Sequence, residues 1–368
     1  MTSETSVQLR SAAVESAGIR PPPAPAPFRP EHRARLDEIA REAGVSLATV
    51  DRAIHQRPGV SARTLLRVQQ ALRRLAETNP RTAVQQRGAL LCFVLPSGDN
   101  DFVRLLRDEL LALTPWLTAQ GARLDIRTTD TFAPAAAAAA VRRLRGQYDA
   151  IALMLQDHPL VREAVDSMAA DGTCVLTLVS QISTRHRTHF IGIDNAAAGR
   201  TAASLLSRFT GGRSGRVGIV MGSSNLQDHA ERLRGFRELM AARQPQLTLL
   251  EPLECNDRDE PARAKVAALL AAHPDLAGLY SIGAGNRGVH AALHAAGAAG
   301  RLPWICHELT ADTRAALLDD SACAVIGQSA AQEARASCRL ALNQLARQPT
   351  LHEVDPIRIE IYLKDNLP

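Results

Sequence analysis

From residue 88 onward, nine short apolar runs alternate with stretches of helical periodicity, and this alternation narrows the possible folds more than any other feature. The runs are ALLCFVL (89–95), ARLDIRT (122–128), DAIALML (149–155), TCVLTLV (173–179), RVGIVMG (216–222), LTLLEPL (247–253), LAGLYSI (276–282), PWICHE (303–308) and ACAVIGQ (322–328). Each has the length of a strand rather than of a core helix. Strand, helix and strand repeated this often implies a parallel sheet covered by helices on both faces, because parallel neighbours need a crossover connection. Nine units are too many for one small doubly wound sheet. The segment FIGIDNAAAGRTAASLL (190–206) reads as the passage into a second lobe. Two such lobes leave a cleft at the carboxyl ends of their strands, which takes a small polar ligand by hinge closure. The AAAAAA run (135–140) falls in one of the helices.

The chain in front of this body has a different pattern. In LDEIAREAGVSLATVDRAIH (36–55), Leu36, Ile39, Ala40 and Ala43 recur at i, i+3, i+4 and i+7, giving a first helix one buried stripe. Gly44 follows where a left-handed C-cap places a glycine. Ser46 stands at an N-cap position three residues before Thr49, and Val45, Val50 and Ala53 fold back onto the first helix. Two short helices around a glycine-containing turn form a helix-turn-helix, whose second helix enters the major groove, or else a hairpin used only for packing. After QRPGVS, Ser61 caps a third helix with Leu65, Leu66, Val68, Leu72 and Leu75 on its apolar face. The expected organisation is a disordered Pro-rich arm (1–32), an all-α helix-turn-helix head (33–78), a hinge (79–88) and an α/β body (89–368).

Charge separates head from body. Residues 29–87 carry twelve Arg against six acidic groups, a net +6, and the residues after 87 carry −1. A module that neutralises DNA phosphates needs this segregation. Arg accounts for 41 of the 43 basic residues, so clustering is informative where Arg identity is not. The six cysteines are scattered without a CxxC pair, mostly inside apolar runs, as in a reduced intracellular protein. No signal peptide and no apolar stretch long enough for a membrane span are read, so a cytoplasmic protein with no membrane partner is expected.

The order of parts, with EIAREAGVSLATVDRAIHQRPGVSARTLLRV at the front and IGIDNAAAGRTAA, ERLRGF (231–236) and ICHELT downstream, resembles the lactose-repressor family of bacterial transcription regulators. The body is similar to the periplasmic sugar-binding proteins, and the resemblance implies two Rossmann-like lobes that hold a sugar or polyol effector. On matching positions it implies Leu47, Ala48 and Arg52 as base readers. An Arg there binds guanine bidentately, or it contacts phosphate or solvent only. Ser46, Thr49 and Ser61 are candidate phosphate contacts. Two departures stand out: Asp51 occupies a position where relatives carry Ser beside the DNA backbone, and the hinge TNPRTAVQQRG is short, with Gln86 where relatives carry a wedging Leu.

In the body, the resemblance implies Arg232 as the residue gripping the effector and Glu308 as the acceptor of its hydroxyls. The alternatives are a surface Arg opening a helix and an acid capping the next one. Asn286, Asp194, Asp157 and Gln328 fall at predicted strand ends and are candidate cleft residues. Phe102, just past the first strand, stacks on a sugar face or belongs to the core. A competing reading is an NAD(P)-dependent oxidoreductase, because GAGNRG (283–288) satisfies GxGxxG after an apparent strand, with Glu308 near the ribose-binding position. Fewer residues follow it than a two-half dinucleotide sheet needs, and no hydride-transfer set is recognised. The expected function is therefore a non-enzymatic, sequence-specific regulator, a repressor without cofactor or metal. It acts as a homodimer on a pseudo-palindromic double-stranded operator. Closure around the effector shifts the population of DNA-competent states.

Overall fold

The computed structural model describes residues 30–54, 57, 59–78, 88–98, 100–186, 188–283, 285–346, 352 and 354–368. The sequence readings for residues 1–29 of the Pro-rich arm and for most of the hinge, Gln86 included, fall outside these residues, whereas residues 30–32, expected in the arm, already belong to the first helix. The chain divides into two compact units, residues 1–79 and 80–368, which are described separately.

The first unit contains α1 (Pro30–Ala43), α2 (Leu47–Ile54) and α3 (Ala62–Thr78). Gly44 ends α1 with φ of 61°, the left-handed conformation a glycine enters without steric cost. Ser46 and Ser61 open the next two helices, each Oγ accepting from a backbone N–H three residues on (Thr49 at 3.3 Å, Thr64 at 3.2 Å). Ile39, Ala40, Ala43, Val50, Ala53, Val68 and Ala71 form the small core, with Leu36 and Val45 packed against it. The apolar face expected for α3 needs correction. Val68 is buried as expected and Ala71 joins it, but Leu65 and Leu66 are exposed, and the side chains of Leu72 and Leu75 lie outside the described residues. Arg67 does what no apolar pattern announces: its Nη2 donates to the carbonyls of Ala43 (2.7 Å) and Gly44 (3.0 Å), closing the end of α1.

The second unit holds two sheets. The first is ordered β2 (Ala122–Thr129), β1 (Ala89–Pro96), β3 (Ala150–Leu153), β4 (Cys174–Leu178), β5 (His189–Ile191), all parallel. Helices α4 (Asp101–Ala112), α5 (Thr114–Ala119), α6 (Pro134–Arg143) and α7 (Pro159–Ala170) connect its strands. Helix α8 (Asn195–Phe209) then leads to β6 (Gly215–Met221), α9 (Gln227–Arg243), β7 (Leu247–Leu249), β8 (Leu253–Glu254), α10 (Asp259–Ala272), β9 (Leu276–Ser281), α11 (Asn286–Ala295), β10 (Trp304–His307), α12 (Ala311–Leu318), β11 (Ala324–Gly327), α13 (Ala330–Ala346) and β12 (Glu360–Tyr362). The second sheet runs β12-β11-β10-β9-β6-β7, with β8 also on β6, and only β12 is antiparallel.

All nine expected strands are present, the run at 247–253 being split into β7 and β8, while β5 and β12 were not anticipated. Both are three-residue edge strands, too short to stand out as an apolar run.

Strand alternation explains why both faces of each sheet are dry. In β1, Leu91, Phe93 and Leu95 join one buried cluster and Cys92 with Val94 join the other. In β11, Ala324 and Ile326 face one way and Val325 the other. Burying a side chain such as Phe93 contributes roughly 1.5–3 kcal/mol. Helix α13 follows the last parallel strand of the second sheet, yet Ala334, Cys338 and Ala341 pack into the first lobe's core. The chain thus returns to the first lobe and then gives β12 to the second, so the lobes are stitched by more than the single crossing at 190–206.

Candidate functional site

A cavity of about 720 Å³ lies at the carboxyl ends of the strands of both sheets. It is lined from the first lobe by Phe102, Thr131, Phe132 and Ser180, among others, and from the second by Asp228, Arg232, Asn286, Glu308 and Gln328. This is where parallel α/β sheets place ligands, since loops and helix N-termini converge there.

Arg232 is the centre of the polar network. Its side chain is only 2% exposed, although α9 is otherwise a rather polar helix. Helices α8 and α9 approach backbone to backbone at Gly199 and Gly235: a Cβ on either would fall well inside van der Waals contact with a carbonyl of the other helix. That closeness lets Arg232 Nε donate to Asn195 Oδ1 at 2.9 Å, while Nη1 donates to the Ile282 carbonyl at 3.0 Å. Nη1 also stands 3.7 Å from Glu308 Oε1. Glu308 in turn accepts from Gln328 Nε2 at 3.0 Å. Burial pushes the Glu308 carboxyl up to about 7, with the Arg232 charge pulling the other way. Behind it, Glu333 on α13 is fully buried, and burial together with the Glu308 charge holds its carboxyl well above the usual range.

Among the described residues, several buried polar atoms of the side chains on this wall have no hydrogen-bond partner: Arg232 Nη2, Asp228 Oδ1, Asn286 Oδ1 and Gln328 Oε1. Asn286 is oriented by its own bonds, because Nδ2 donates to the carbonyls of Gly283 (3.2 Å) and His307 (3.1 Å). The side chains of this wall therefore carry one guanidinium donor and three oxygen acceptors without a partner, each of which costs about 1–3 kcal/mol if left buried and unpaired.

Backbone strain concentrates at the same place. Among the described residues, five non-glycine residues have positive φ, and four of them line the cavity: Val179 (61°), Asn256 (51°), Asp257 (55°) and Glu308 (66°). A β-branched Val in this region is a steric outlier, and such strain clusters at binding sites. The strained turn at Val179 also joins the lobes. Asn195 Nδ2 donates to the Val179 carbonyl at 3.2 Å, and Ser180 Oγ accepts from the Gln227 N–H at 3.1 Å, opening α9.

The structure brings Arg232, Glu308, Asn286, Gln328 and Phe102 together at the cavity, and Phe102 also packs in the core. Two expected cleft residues are corrected. Asp194 is exposed and caps α8, its Oδ1 accepting from the Ala197 N–H at 2.8 Å. Asp157 turns away to Arg162 (2.7 Å) and to the Ser183 hydroxyl (2.7 Å). Asp228, Phe132 and the strained pair Asn256–Asp257 were not anticipated. Asp228 lies one turn before Arg232, and that i, i+4 spacing was the one signal available for it.

The GAGNRG segment does follow a strand and open a helix: Gly285 is left-handed (φ 91°) at the N-cap of α11. Gly288 is needed for packing, since a Cβ there would collide with the Asp259 carbonyl of α10. Glu308 accepts from Gln328 Nε2 and stands 3.7 Å from Arg232 Nη1.

On the head, Leu47, Ala48 and Arg52 are exposed along α2, and Thr49 is half-buried. Ser46 and Thr49 hydroxyls bond to each other at 2.8 Å, as do Ser61 and Thr64. Asp51 Oδ2 accepts from Arg57 Nη1 at 3.1 Å, so an Arg offsets the carboxylate that departs from the family pattern.

A two-lobed body of this topology, with its polar cavity at the strand ends, is that of the periplasmic binding proteins, and the family model described as "Periplasmic binding protein domain" matches residues 91–349. The model "Bacterial regulatory proteins, lacI family" matches residues 35–76. The chain belongs to the lacI family of bacterial regulatory proteins, with a periplasmic binding protein domain as its body. Among solved structures, an ABC transporter solute-binding protein from Agrobacterium vitis with bound D-fucose is similar at 19% identity and TM-score 0.70, over 75% of this chain and 96% of that one. A solute-binding protein from Burkholderia graminis in complex with D-arabinose is similar at 20% identity and TM-score 0.69, over 75% and 96%. GanP, a glucose-galactose binding protein from Geobacillus stearothermophilus, is similar at 20% identity and TM-score 0.64, over 76% and 99%. No curated protein sequence matches the chain. Among the described residues, no helix is long and apolar enough to cross a membrane.

Proposed function

We propose that this chain is a cytoplasmic repressor-type transcription regulator that binds a pseudo-palindromic operator as a homodimer and responds to a neutral sugar or polyol. The observation carrying this reading is the cavity wall of one unpartnered guanidinium nitrogen and three unpartnered oxygens. Vicinal hydroxyls donate to the oxygens and accept from the guanidinium, while Phe102 and Phe132 supply apolar faces for a sugar ring. Eight acidic residues line the cavity against four Arg, which disfavours a phosphorylated or otherwise anionic effector. Solute-binding proteins of the same fold hold D-fucose and D-arabinose, so free aldoses and their polyols are the first probes.

The test is a thermal-shift screen of the full chain against neutral aldoses, polyols, sugar phosphates and nicotinamide dinucleotides. Stabilisation by a neutral sugar or polyol supports the regulator. Selective stabilisation by a dinucleotide, which the glycine turn before α11 favours as the second reading, sinks it and revives the oxidoreductase.

Effector affinity is expected to depend on pH through Glu308. A hydroxyl donating to the ionised carboxylate favours that form, so binding releases a proton wherever Glu308 is still protonated, below about 7. Affinity should therefore rise with pH, by up to about tenfold per unit below the folded value, and level off above it. Calorimetry from pH 5.5 to 8.5 checks the slope, and Glu308→Gln should flatten it. An unchanged slope in that variant removes Glu308 from the site.

On the head, Leu47, Ala48 and Arg52 are assigned to base edges, with Ser46, Thr49 and Ser61 beside phosphates. Arg52→Ala is expected to lose about 1–3 kcal/mol of discrimination at one base pair of each half-site. Binding to random duplex should hardly change. Selection from a randomised duplex library, with and without Arg52, reads both quantities; an equal loss on all sequences would make Arg52 a phosphate contact.

A further inference from the structure

We propose that His290, His294 and Asp319 form a binding site for a divalent d-block cation, Zn²⁺ being the best fit. The site is separate from the effector cavity, and none of its three residues lines that cavity. His290 and His294 lie one turn apart on the same face of α11. Asp319 sits just beyond α12, so only the tertiary fold brings it to the two imidazoles.

The three donor atoms converge on one another. Asp319 Oδ2 is 2.8 Å from His290 Nε2 and 3.0 Å from His294 Nε2, and the two Nε2 atoms are 3.0 Å apart. Ser321 Oγ stands 3.1 Å from His294 Nε2. Hydrogen bonds do not serve this triangle well. A neutral imidazole has one ring N–H, and a proton aimed along one edge of a near-equilateral triangle lies about 60° away from the other. If both imidazoles donate to Asp319, their Nε2–H groups are forced together. If one accepts from the other, it no longer donates to the carboxylate.

A cation satisfies all three lone pairs at once. A triangle with these edges has a circumradius of about 1.7 Å, so an ion about 1 Å above its plane stands about 2.0–2.1 Å from each atom, the ordinary Zn–N and Zn–O distance. Two imidazoles and a carboxylate suit Zn²⁺ with a water in the fourth position. The site also has the outer support that metal carboxylates use. Asp319 Oδ1 accepts from the Ser321 N–H at 3.0 Å, which orients Oδ2 toward the imidazoles.

Occupancy would clip the last turns of α11 to the loop between α12 and β11. Helix α11 is the one whose first residue, Asn286, lines the cavity.

The experiment uses the full chain without a histidine tag, stripped with chelator. Zn²⁺ is titrated against a chromophoric competitor, and Co²⁺ uptake is followed by visible absorption. One equivalent of Zn²⁺ should bind with submicromolar affinity, Co²⁺ should give a four-coordinate spectrum without thiolate charge-transfer bands, and His294→Ala and Asp319→Asn should each weaken binding at least 100-fold. Zn²⁺ should raise the thermal midpoint of the wild type and leave that of His294→Ala unchanged, with metal-free midpoints alike in both. The proposal is overturned by absence of stoichiometric binding at micromolar Zn²⁺, by unaltered affinity in both variants, or by a thiolate band placing the ion on cysteine.

Discussion

Arg232→Ala is expected to abolish effector binding and to lower the stability of the α/β body by about 3–5 kcal/mol, the usual penalty for removing one partner of a buried ion pair. The guanidinium joins three segments of the second lobe: Asn195 at the start of α8, the carbonyl of Ile282 after β9, and Glu308 after β10. Without it, Asn195 Oδ1 loses its donor and Glu308 loses the charge that offsets its burial. The carboxyl should then climb beyond about 7 and stay protonated at neutral pH. The cavity wall also loses its unpartnered donor, Arg232 Nη2. Calorimetry with the sugar found in the thermal screen measures the first effect and denaturant unfolding the second. Arg232→Lys separates them, because it keeps a positive charge but not the planar fork that reaches several acceptors at once. Effector affinity within about threefold of wild type in Arg232→Ala would place the ligand elsewhere.

Gly199→Ala is expected to cost the body about 3 kcal/mol or more, at or beyond the upper end of ordinary overpacking. The added Cβ meets the Arg232 carbonyl, its carbon and its Cα. A side chain rotates away from an intruding methyl, whereas a carbonyl inside a helix moves only with the helix. Relief therefore requires α8 and α9 to separate, and that separation pulls Asn195 away from Arg232 Nε. Stability and effector affinity should fall together. Gly235→Ala, which meets the Ala196 carbonyl from the other side, should produce the same pair of losses. The two changes open one shared interface, so their costs in the double variant should add to less than the sum. Wild-type stability in Gly199→Ala, measured by chemical unfolding, would contradict the close approach of the two helices.

These two residues illustrate how far local pattern reaches. Arg232 was legible only through the ERLRGF segment and its family resemblance; nothing in α9 taken alone distinguishes it from Arg234 or Arg237, which lie on the same helix. Its burial follows from the neighbouring glycine contacts. Asp157 and Asp194 show the opposite failure. Both stand at strand ends, where cleft residues are expected, yet Asp194 caps the helix that follows it and Asp157 pairs with Arg162 and Ser183. A carboxylate near a helix start has a local use available, and here that use took both residues. Leu65 and Leu66 fail similarly on the head: at helical spacing they resemble core, but Val68 and Ala71 occupy the side of α3 that meets α1 and α2.

Features set by neighbours within a few residues were written in the chain itself. The helix-turn-helix, its Ser46 and Ser61 caps, the left-handed Gly44, nine strands and the segregation of positive charge all follow from short-range sterics, periodicity and composition. What required the folded molecule was every relationship across long separations. The return of α13 to the first lobe, the convergence of Arg232, Glu308, Asn286 and Gln328, and the meeting of Asp319 with two histidines depend on which faces pack together. Strand and helix periods say which residues are buried, but not against what, because burial free energy depends on area removed from water and not on the identity of the partner surface.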